Sequence, residues 1–392
     1  MAGGKVKMTR VGLFSESYKP CVDGVSRFLQ DFSVELSKAG IDWKAYTSIP
    51  GKREPNVRRI RSLPFPLYNN YWISYFWVSD FVKRAKEDDL DIVHINTPFF
   101  AGLGGLMAAK ELGVPAVGTF HTNVRDMAPA VGSSPATSAV ASVLNKLTIH
   151  IYDGCDVVTA PTESMKQFLR DEGLKTKIEI IPVGSRLKEL ISEAGRHDFR
   201  KELNIPKDAK VVLYFGRITL DKGVHLLLDA FGDVTDLGNV YLVYGGSGPE
   251  LKALRNRAKG KSYSDYVRVL GHVDEKLKAS LISQSDVMVL PSIGDTFGLS
   301  LAEGMAFKKI VIASNLGGLK DWVSDGFNGI VFDYEKKNLP DKLRYALTED
   351  LTDMGRRASK WALENVDIGV VAKRFIHLYD SLIQKQTPVI VD

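Results

Sequence analysis

The feature that most constrains the fold is the alternation of strand and helix patterns in residues 287–318. The apolar run VMVL at 287–290 stops at Pro291, which is typical of a buried strand. A turn at 295–298 leads into an apolar helical pattern, and a second strand pattern follows at 310–313. Strand, loop, helix and strand in this order predict a parallel α/β sheet. In such a sheet the exposed amides and the dipole of the helix start favour an anion at the carboxyl end of the strand.

Two acids flank this predicted anion site. Asp295 lies on the loop and Glu303 on the helix, with seven residues between them. Carboxylates would repel a phosphate, so we expect them to accept hydrogen bonds from sugar or ribose hydroxyls. The alternative is an ordinary turn aspartate and a solvated glutamate on the helix surface. Phe297, Gly298 and Leu299, at the predicted helix start, are expected contacts of the same ligand.

Length and composition limit the class of protein. A chain of 392 residues is comfortable for two domains, and 44% apolar with 25% charged residues is typical of a soluble globular protein. The net charge of +5 favours anionic partners only weakly. Two cysteines, Cys21 and Cys155, predict neither a disulfide framework nor a metal cluster and fit a reducing cytosol. We find no apolar signal core and no run of about 18 apolar residues, so we expect a cytoplasmic protein without a membrane span.

The first half of the chain repeats the β/α pattern. A strand ends at Phe14, and the loop 15–24 leads into an amphipathic helix. Gly24, at this strand-to-helix switch, would let a phosphate approach the backbone, although an isolated glycine is also typical of a simple turn. His121 ends the strand predicted at 116–120, where a neutral imidazole would bond a hydroxyl or a developing charge. The alternative for a lone histidine is a structural role, and His94 is expected to lie beneath the site.

Two further segments of the first half have unusual compositions. Residues 52–61 are basic, and residues 68–86 combine Tyr, Trp and Phe with Lys and Arg. A peripheral protein uses such residues to rest on anionic lipid, whereas the alternative is a core helix beside a solvated basic loop. RNA binding is not expected, because no nucleic-acid module accompanies this segment. Residues 128–142, rich in Ala, Ser and Pro, predict a mobile loop over an acceptor site.

The second half begins a new β/α series. The polar segment 184–208 predicts the domain junction, and a strand follows at 211–215. Arg217 and Lys222 bracket the next strand-to-helix loop, a natural place for two cations to bind a diphosphate. Solvated loop charges are the alternative. A redox enzyme is disfavoured, because no G-x-G-x-x-G fingerprint opens a first βα unit.

Four motifs, spread over nearly the whole chain, resemble the retaining GT-B glycosyltransferases of family 4. They are Y-x-P-x-x-x-G-V at 18–25, the strand-end His121, G-R-x-x-x-x-K-G at 216–223, and an E-x7-E motif in which Asp295 replaces the first Glu. The resemblance implies an α/β fold of two Rossmann-like parallel-sheet lobes facing a cleft. It assigns acceptor binding to residues 1–187, with the C-terminal helix 368–392 packing back on them, and nucleotide-sugar binding to residues 188–367.

The resemblance also implies roles for individual residues. The implied catalytic residues are His121, Arg217, Lys222 and Asp295, and the implied donor contacts are Gly24, Arg217, Lys222, Val273, Phe297, Gly298, Leu299 and Glu303. Arg217, Lys222, the Gly24 amide and the helix start at Gly298 would stabilise the departing phosphate. Because we find no carboxylate nucleophile opposite an acid, we expect front-face transfer with retained configuration. Neither a cofactor nor a metal is expected.

The acceptor is predicted from the likeness of GVSRF, HINTPFFAGLGG and DTFGL to enzymes that glycosylate membrane lipids. We therefore expect a glycolipid-forming hexosyltransferase, peripheral on the cytoplasmic face of an anionic membrane. UDP-glucose is the first expected donor and GDP-mannose the second. The alternatives are the same chemistry on a soluble acceptor, a UDP-sugar epimerase of the same fold, and a catalytically silent nucleotide-sugar-binding module. No obligate protein partner is inferred.

Overall fold

The structure of the protein, a computed structural model, describes residues 8–21, 23–64, 72–121 and 135–386. The chain divides into two compact units, which we call unit 1 (Met1–Gly184 with Ile368–Asp392) and unit 2 (Ser185–Asp367). The chain therefore passes between units after Gly184 and again after Asp367. The boundaries expected from the sequence follow residues 187 and 367.

A parallel sheet forms the centre of unit 1. Its strands are β1 (Arg10–Phe14), β2 (Asp42–Thr47), β3 (Val57–Arg59), β6 (Ile92–Ile95), β7 (Ala116–Thr119), β8 (Val157–Ala160) and β9 (Ile178–Ile180), and a separate antiparallel pair is formed by β4 (Leu63–Pro64) and β5 (Trp72–Ile73). Within the described residues the strand order is β3-β2-β1-β6-β7-β8-β9. The direction of strand addition reverses between β1 and β6, and the crevice at such a switch point is where open α/β sheets bind ligands.

Helices cover this sheet. Those of unit 1 are α1 (Gly24–Lys38), α2 (Val78–Asp88), α3 (Phe100–Leu112), α4 (Pro135–Asp153), α5 (Glu163–Asp171) and α14 (Ile368–Gln386). The start of α5 is capped, because the Thr162 side chain accepts a hydrogen bond from the Met165 amide. The last helix, α14, packs on α1, where Phe375 contacts the rings of Phe28 and Phe32. Unit 1 is therefore built from both ends of the chain.

The expectation of a mobile loop at 128–142 is wrong for the part that the structure describes. Residues 135–142 belong to α4, and residues 128–134 lie outside the described residues. Pro135 occupies the first position of the helix, where its missing N–H costs nothing. The alanines that follow are strong helix formers. The same composition that suggested a loop thus fits a helix start.

Unit 2 contains a second parallel sheet. Its strands are β10 (Lys210–Phe215), β11 (Val240–Gly245), β12 (Val267–Gly271), β13 (Val287–Leu290), β14 (Ile310–Ser314) and β15 (Ile330–Phe332). Their order in the described part of the chain is β12-β11-β10-β13-β14-β15, so the switch point lies between β10 and β13. The helices are α6 (Leu187–Ser192), α7 (Phe199–Glu202), α8 (Val224–Gly232), α9 (Leu251–Lys259), α10 (Glu275–Gln284), α11 (Leu299–Ala306), α12 (Leu339–Thr348) and α13 (Thr352–Asn365).

Candidate active site

Three loops meet at the switch point of unit 2. They follow β10, β11 and β13, and we call residues 216–223, 245–250 and 291–298 together the three-loop site. Backbone hydrogen bonds join them: the Ile218 amide donates to the Ser247 carbonyl at 2.9 Å, and the Ile293 amide donates to the Asp221 carbonyl at 2.9 Å. The site is therefore a connected backbone platform at the carboxyl edge of the sheet.

Gly223 and Gly298 allow close packing within the three-loop site and against its neighbouring residues. Gly223 has φ of 66°, and a Cβ there would lie 2.1 Å from the Pro291 carbonyl oxygen. Gly298 has φ of 78° at the N-terminus of α11, and a Cβ there would lie 2.2 Å from Leu319 Cδ2. Positive φ favours glycine, and a side chain at either position would collide with these atoms. The turn predicted before α11 is thus part of the packing of the site.

Lys222 and Asp295 form an ion pair inside the three-loop site. The Lys222 Nζ lies 3.0 Å from Asp295 Oδ1 and 3.4 Å from Asp221 Oδ2. Lys222 is buried, with 8% of its surface exposed. Asp295 Oδ2 is also buried, yet no residue that the structure describes gives it a hydrogen bond. A buried carboxylate oxygen without a donor is costly, so this atom is suited to a hydroxyl from a ligand.

Arg217 lies on the same loop but in a different environment. Its side chain is exposed, while its backbone carbonyl accepts a hydrogen bond of 2.6 Å from the buried Tyr214 hydroxyl. The loop position is thus fixed although the guanidinium faces solvent. The structure therefore places both predicted cations on one short loop, one embedded and one exposed.

Glu303 is buried rather than solvated. It is 3% exposed on α11, and its Oε1 accepts hydrogen bonds from Lys278 Nζ at 2.7 Å and from Ser185 Oγ at 3.1 Å. The interpretation of Glu303 as a solvated surface residue is therefore wrong. Sequence reasoning missed Lys278, although a lysine between the apolar positions of KLKASLIS is an available signal.

Three further predicted donor contacts, Val273, Phe297 and Leu299, also lie at strand or helix ends of unit 2. Val273 is buried just after β12, and Leu299 is the half-buried first residue of α11. Phe297 is buried and stacks on Trp322 with ring centroids 5.1 Å apart. The Trp322 Nε1 also donates to the Phe297 carbonyl at 2.8 Å. The Phe297 side chain is thus a packing element of the loop, and Trp322 is a support that sequence reasoning missed.

In unit 1 the predicted residues lie on loops beside β1 and β7. His121 is half-buried, its Nε2 lies 3.1 Å from Asn96 Oδ1, and its ring packs against Phe28. Burial lowers the pKa of His121 to about 4, so the imidazole is neutral at pH 7. Gly24 begins α1 and has open space beside its Cα, which leaves room for a ligand. Asp23, the N-cap of α1, accepts a hydrogen bond of 2.8 Å from the Ser26 amide.

His94 lies beneath these loops, as expected. It is fully buried, with Nε2 at 2.6 Å from Thr119 Oγ1 and Nδ1 at 2.6 Å from the Tyr379 hydroxyl. Burial lowers the pKa of His94 to about 3. Its hydrogen bonds join the sheet to α14, which is a structural role.

The aromatic part of the 52–86 segment is divided between core and surface. Phe81 is fully buried, whereas Tyr75 and Phe76 are 61% and 74% exposed. Their rings are in edge contact, with centroids 5.3 Å apart. Tyr68 and Tyr71 lie outside the described residues.

The basic part of that segment is divided as well, because Lys52 and Arg53 are exposed whereas Arg58 and Arg59 make internal contacts. Arg58 forms an ion pair with Asp88, and Arg59 pairs with Glu54 at 3.0 Å. Arg61 stays at the surface, 3.3 Å from Asp80. The interpretation of a solvated basic loop therefore holds for Lys52, Arg53 and Arg61 but not for Arg58 and Arg59, which belong to the edge strand β3.

The described residues contain neither a candidate membrane-spanning helix nor a candidate metal site. No helix among them is both long and apolar enough to cross a membrane. No group of three or more His, Cys, Asp or Glu in the same part of the chain could hold a metal ion.

Two family models match the chain. The model for Glycosyltransferase Family 4 matches residues 22–188, and the model for Glycosyl transferases group 1 matches residues 195–362. Similar curated proteins include two named alpha-monoglucosyldiacylglycerol synthase. The one from Streptococcus pneumoniae is 27% identical, covering 91% of this chain and 86% of that protein; the one from Acholeplasma laidlawii is 25% identical, covering 96% and 98%.

Solved structures show the same fold. Sucrose-phosphate synthase from Thermosynechococcus elongatus has a TM-score of 0.77 at 22% identity, covering 96% of this chain and 100% of that one. HepE from Anabaena, in complex with UDP-glucose, has a TM-score of 0.74 at 19% identity, covering 95% and 100%. Two parallel α/β units of this kind define the GT-B class of glycosyltransferases. Within that class the chain belongs to glycosyltransferase family 4, and it is a hexosyltransferase.

Proposed function

We propose that this enzyme transfers a hexose, with retained configuration, from a nucleotide-sugar to a membrane lipid. UDP-glucose is the first candidate donor and GDP-mannose the second. Unit 2 would bind the donor and unit 1 the acceptor. The observation that carries the donor assignment is the Lys222–Asp295 pair, whose buried Asp295 Oδ2 has no hydrogen bond from the described residues. The Lys222 ammonium suits a phosphate, and the Asp295 carboxylate suits a sugar hydroxyl.

The chemistry follows from where negative charge develops. Departure of the nucleoside diphosphate leaves charge on its terminal phosphate, which Lys222, Arg217 and the start of α11 would stabilise. His121, neutral at pH 7, would bond a hydroxyl of the substrates rather than supply a full charge. The departing phosphate would take the proton of the acceptor hydroxyl on the same face of the sugar. Transfer would then need no metal ion, and chelation with EDTA would leave the rate unchanged.

A lipid acceptor is supported by two independent observations. The pair Tyr75 and Phe76 presents aromatic surface to solvent, with the cations Arg61 and Arg84 also exposed in the same segment. Exposed aromatic rings beside cations suit the interface of an anionic membrane. The two curated relatives described above are named alpha-monoglucosyldiacylglycerol synthase, a name that refers to a glycosylated lipid. A soluble acceptor remains the second candidate, since a D-inositol 3-phosphate glycosyltransferase is 29% identical over 70% of this chain.

An acceptor screen tests this proposal. Labelled UDP-glucose and GDP-mannose are each incubated with the enzyme alone, with diacylglycerol or phospholipid vesicles, and with a soluble polyol phosphate. We expect label in the lipid phase with UDP-glucose, and an α-linked product by NMR. Label only in the soluble product would replace the lipid acceptor with the second candidate. An epimerised donor formed without any acceptor would indicate the UDP-sugar epimerase instead.

A further inference from the structure

Lys278 is a buried cation close to the three-loop site, and it has no role in the transfer step proposed above. It lies on α10 and is 2% exposed. Its Nζ is 2.7 Å from Glu303 Oε1, 3.1 Å from Glu275 Oε2 and 5.7 Å from the centroid of the Phe215 ring. Two carboxylates and an aromatic face therefore hold this ammonium in one place.

The contacts to Glu303 are asymmetric. Lys278 and Ser185 both donate to Oε1, and within the described part of the chain no group donates to Oε2. A carboxylate accepts hydrogen bonds at both oxygens, so Oε2 retains its full capacity. The two hydrogen bonds to Oε1 hold the carboxylate in place and so fix the orientation of Oε2.

Stability alone is a weak reason for such a pair. Removing two charges from water carries a large desolvation cost, and a buried ion pair is often no more stable than two apolar side chains of similar size. A buried pair does, however, fix the direction of its groups. Glu303 lies in the helix whose N-terminus forms the edge of the three-loop site, where orientation matters to a ligand.

We propose that Lys278 is a positioning residue, which holds Glu303 so that Oε2 accepts hydrogen bonds from a vicinal diol of the nucleotide-sugar donor. The diol belongs either to the ribose or to the hexose. This inference rests on the proposed function, because it requires a bound nucleotide-sugar. Lys278 itself makes no contact with the ligand and acts through Glu303.

The test compares ligands that differ by one hydroxyl. Affinities for UDP and 3′-deoxy-UDP probe the ribose, and affinities for UDP-glucose and analogues lacking one hexose hydroxyl probe the sugar. A hydrogen bond to a charged group gives a preference on the order of 10- to 100-fold for the complete ligand. In Lys278→Met we expect this preference to fall to near unity for one of the two diols, and Lys278→Arg should retain part of it.

Matched variants separate positioning from folding. Lys278→Met leaves Glu303 without its cation, so the double variant K278M/E303Q, which removes both charges, is measured as well; it should regain thermal stability but not the preference. Lys309→Met is the control, because Lys309 donates to the Ser283 carbonyl at 2.7 Å in the same unit. Its thermal stability is expected to fall while the diol preference stays at the wild-type value.

The outcomes distinguish failure of the proposed function from failure of the positioning role of Lys278. A wild-type enzyme that binds neither UDP-glucose nor GDP-mannose overturns the proposed function and this inference together. A wild-type enzyme with a diol preference that Lys278→Met preserves overturns the positioning role alone. Loss of the preference in the ribose pair or in the hexose pair supports the role and identifies the diol.

Discussion

Glu16 is a buried carboxyl at the switch point of unit 1. It accepts hydrogen bonds from the Thr97 hydroxyl and from the Ala101 amide at the start of α3. Burial nevertheless raises the pKa of Glu16 from 4.5 to about 7. The folded state therefore binds a proton more tightly than the unfolded chain does. Between pH 4.5 and 7 this group lowers the stability of the protein as the pH rises.

We expect Glu16→Gln to remove that pH dependence. The ionisation of Glu16 costs the folded state about 3 kcal/mol at pH 8. Unfolding in urea is measured at pH 5 and pH 8 for wild type, Glu16→Gln and the exposed control Glu349→Gln. His94, whose lowered pKa reduces stability as the pH falls from 6.5 to 3, is present in all three proteins. The difference between wild type and Glu16→Gln therefore isolates Glu16. Equal slopes for wild type and Glu16→Gln would contradict the assignment.

Arg217 and Lys222 share a loop but differ in burial, so their substitution should have different effects. Lys222→Met leaves the Asp295 carboxylate without its cation, and we expect a lower melting temperature as well as a loss of transfer. Arg217→Met removes an exposed charge, so the melting temperature should stay within about a degree while kcat falls roughly 100-fold. Thermal unfolding and initial rates are the measurements. Equal losses of stability in the two variants would argue against the embedded position of Lys222.

At the scale of single residues, the sequence identified the candidate site residues better than the side chains that contact them. Arg217, Lys222, Asp295 and Glu303 were identified by spacing and by resemblance. The partners Lys278 and Trp322 were not, because periodicity shows which face of an element is apolar but not which side chain of another element meets it. Ion pairing between residues 278 and 303 depends on how α10 and α11 are placed in the tertiary structure.

Among the secondary-structure elements, α14 has a polar connection to the sheet of unit 1 in addition to its apolar packing. The Tyr379 hydroxyl bonds His94, which bonds Thr119, which lies 2.7 Å from Thr159 Oγ1. The Tyr379 hydroxyl is buried at the end of this series of hydrogen bonds. Without it, His94 Nδ1 would be left in an apolar environment.

Tyr379→Phe should therefore destabilise the protein by about 1–2 kcal/mol while keeping the ring packing. Unfolding in denaturant, followed by circular dichroism, measures the change. Tyr345→Phe on α12 is the control, since Tyr345 is 46% exposed and its substitution should cost less than about 0.5 kcal/mol. Equal stability of the two variants would show that the connection to α14 carries no weight.

Strongly periodic elements were predicted well, and the exceptions have physical reasons. The helices at 24–38 and 299–306 and the strand at 287–290 were expected from apolar periodicity. The short strands β3 and β15 were missed because three residues show no period. The first part of α4, residues 135–142, is a helix where a loop was predicted, because Ala, Ser and Pro are common in both contexts. Only the position of Pro135 distinguishes a helix start.

On the scale of the whole molecule, the proposed membrane contact is the exposed pair Tyr75 and Phe76. Substituting Phe76 with Ser removes an aromatic ring that is 74% exposed, so we expect weaker sedimentation with anionic vesicles at low salt and little change in stability. Phe327→Ser is the matched control, because Phe327 is 54% exposed in unit 2. Vesicles with and without phosphatidylglycerol are compared. Wild-type protein that does not sediment with either would count against the lipid surface.

The two-unit architecture was predicted from four separated motifs, but the assignment of donor and acceptor was not derivable from pattern alone. Binding sites consist of loops whose contacts form only in the folded protein, such as the approach of Gly223 to Pro291. The proposed transfer reaction therefore depends on whether unit 2 recognises a nucleotide-sugar through the three-loop site.

Calorimetric titration of UDP-glucose and UDP into wild type and Asp295→Ala tests that claim most directly. Because Asp295 is proposed to bind a hydroxyl of the transferred sugar, we predict that the variant loses affinity for UDP-glucose by roughly 10- to 100-fold, with a much smaller change for UDP. GDP-mannose and GDP are titrated in parallel. Equal losses for the sugar nucleotide and the free diphosphate, or a wild-type protein that binds neither sugar nucleotide, would contradict the account.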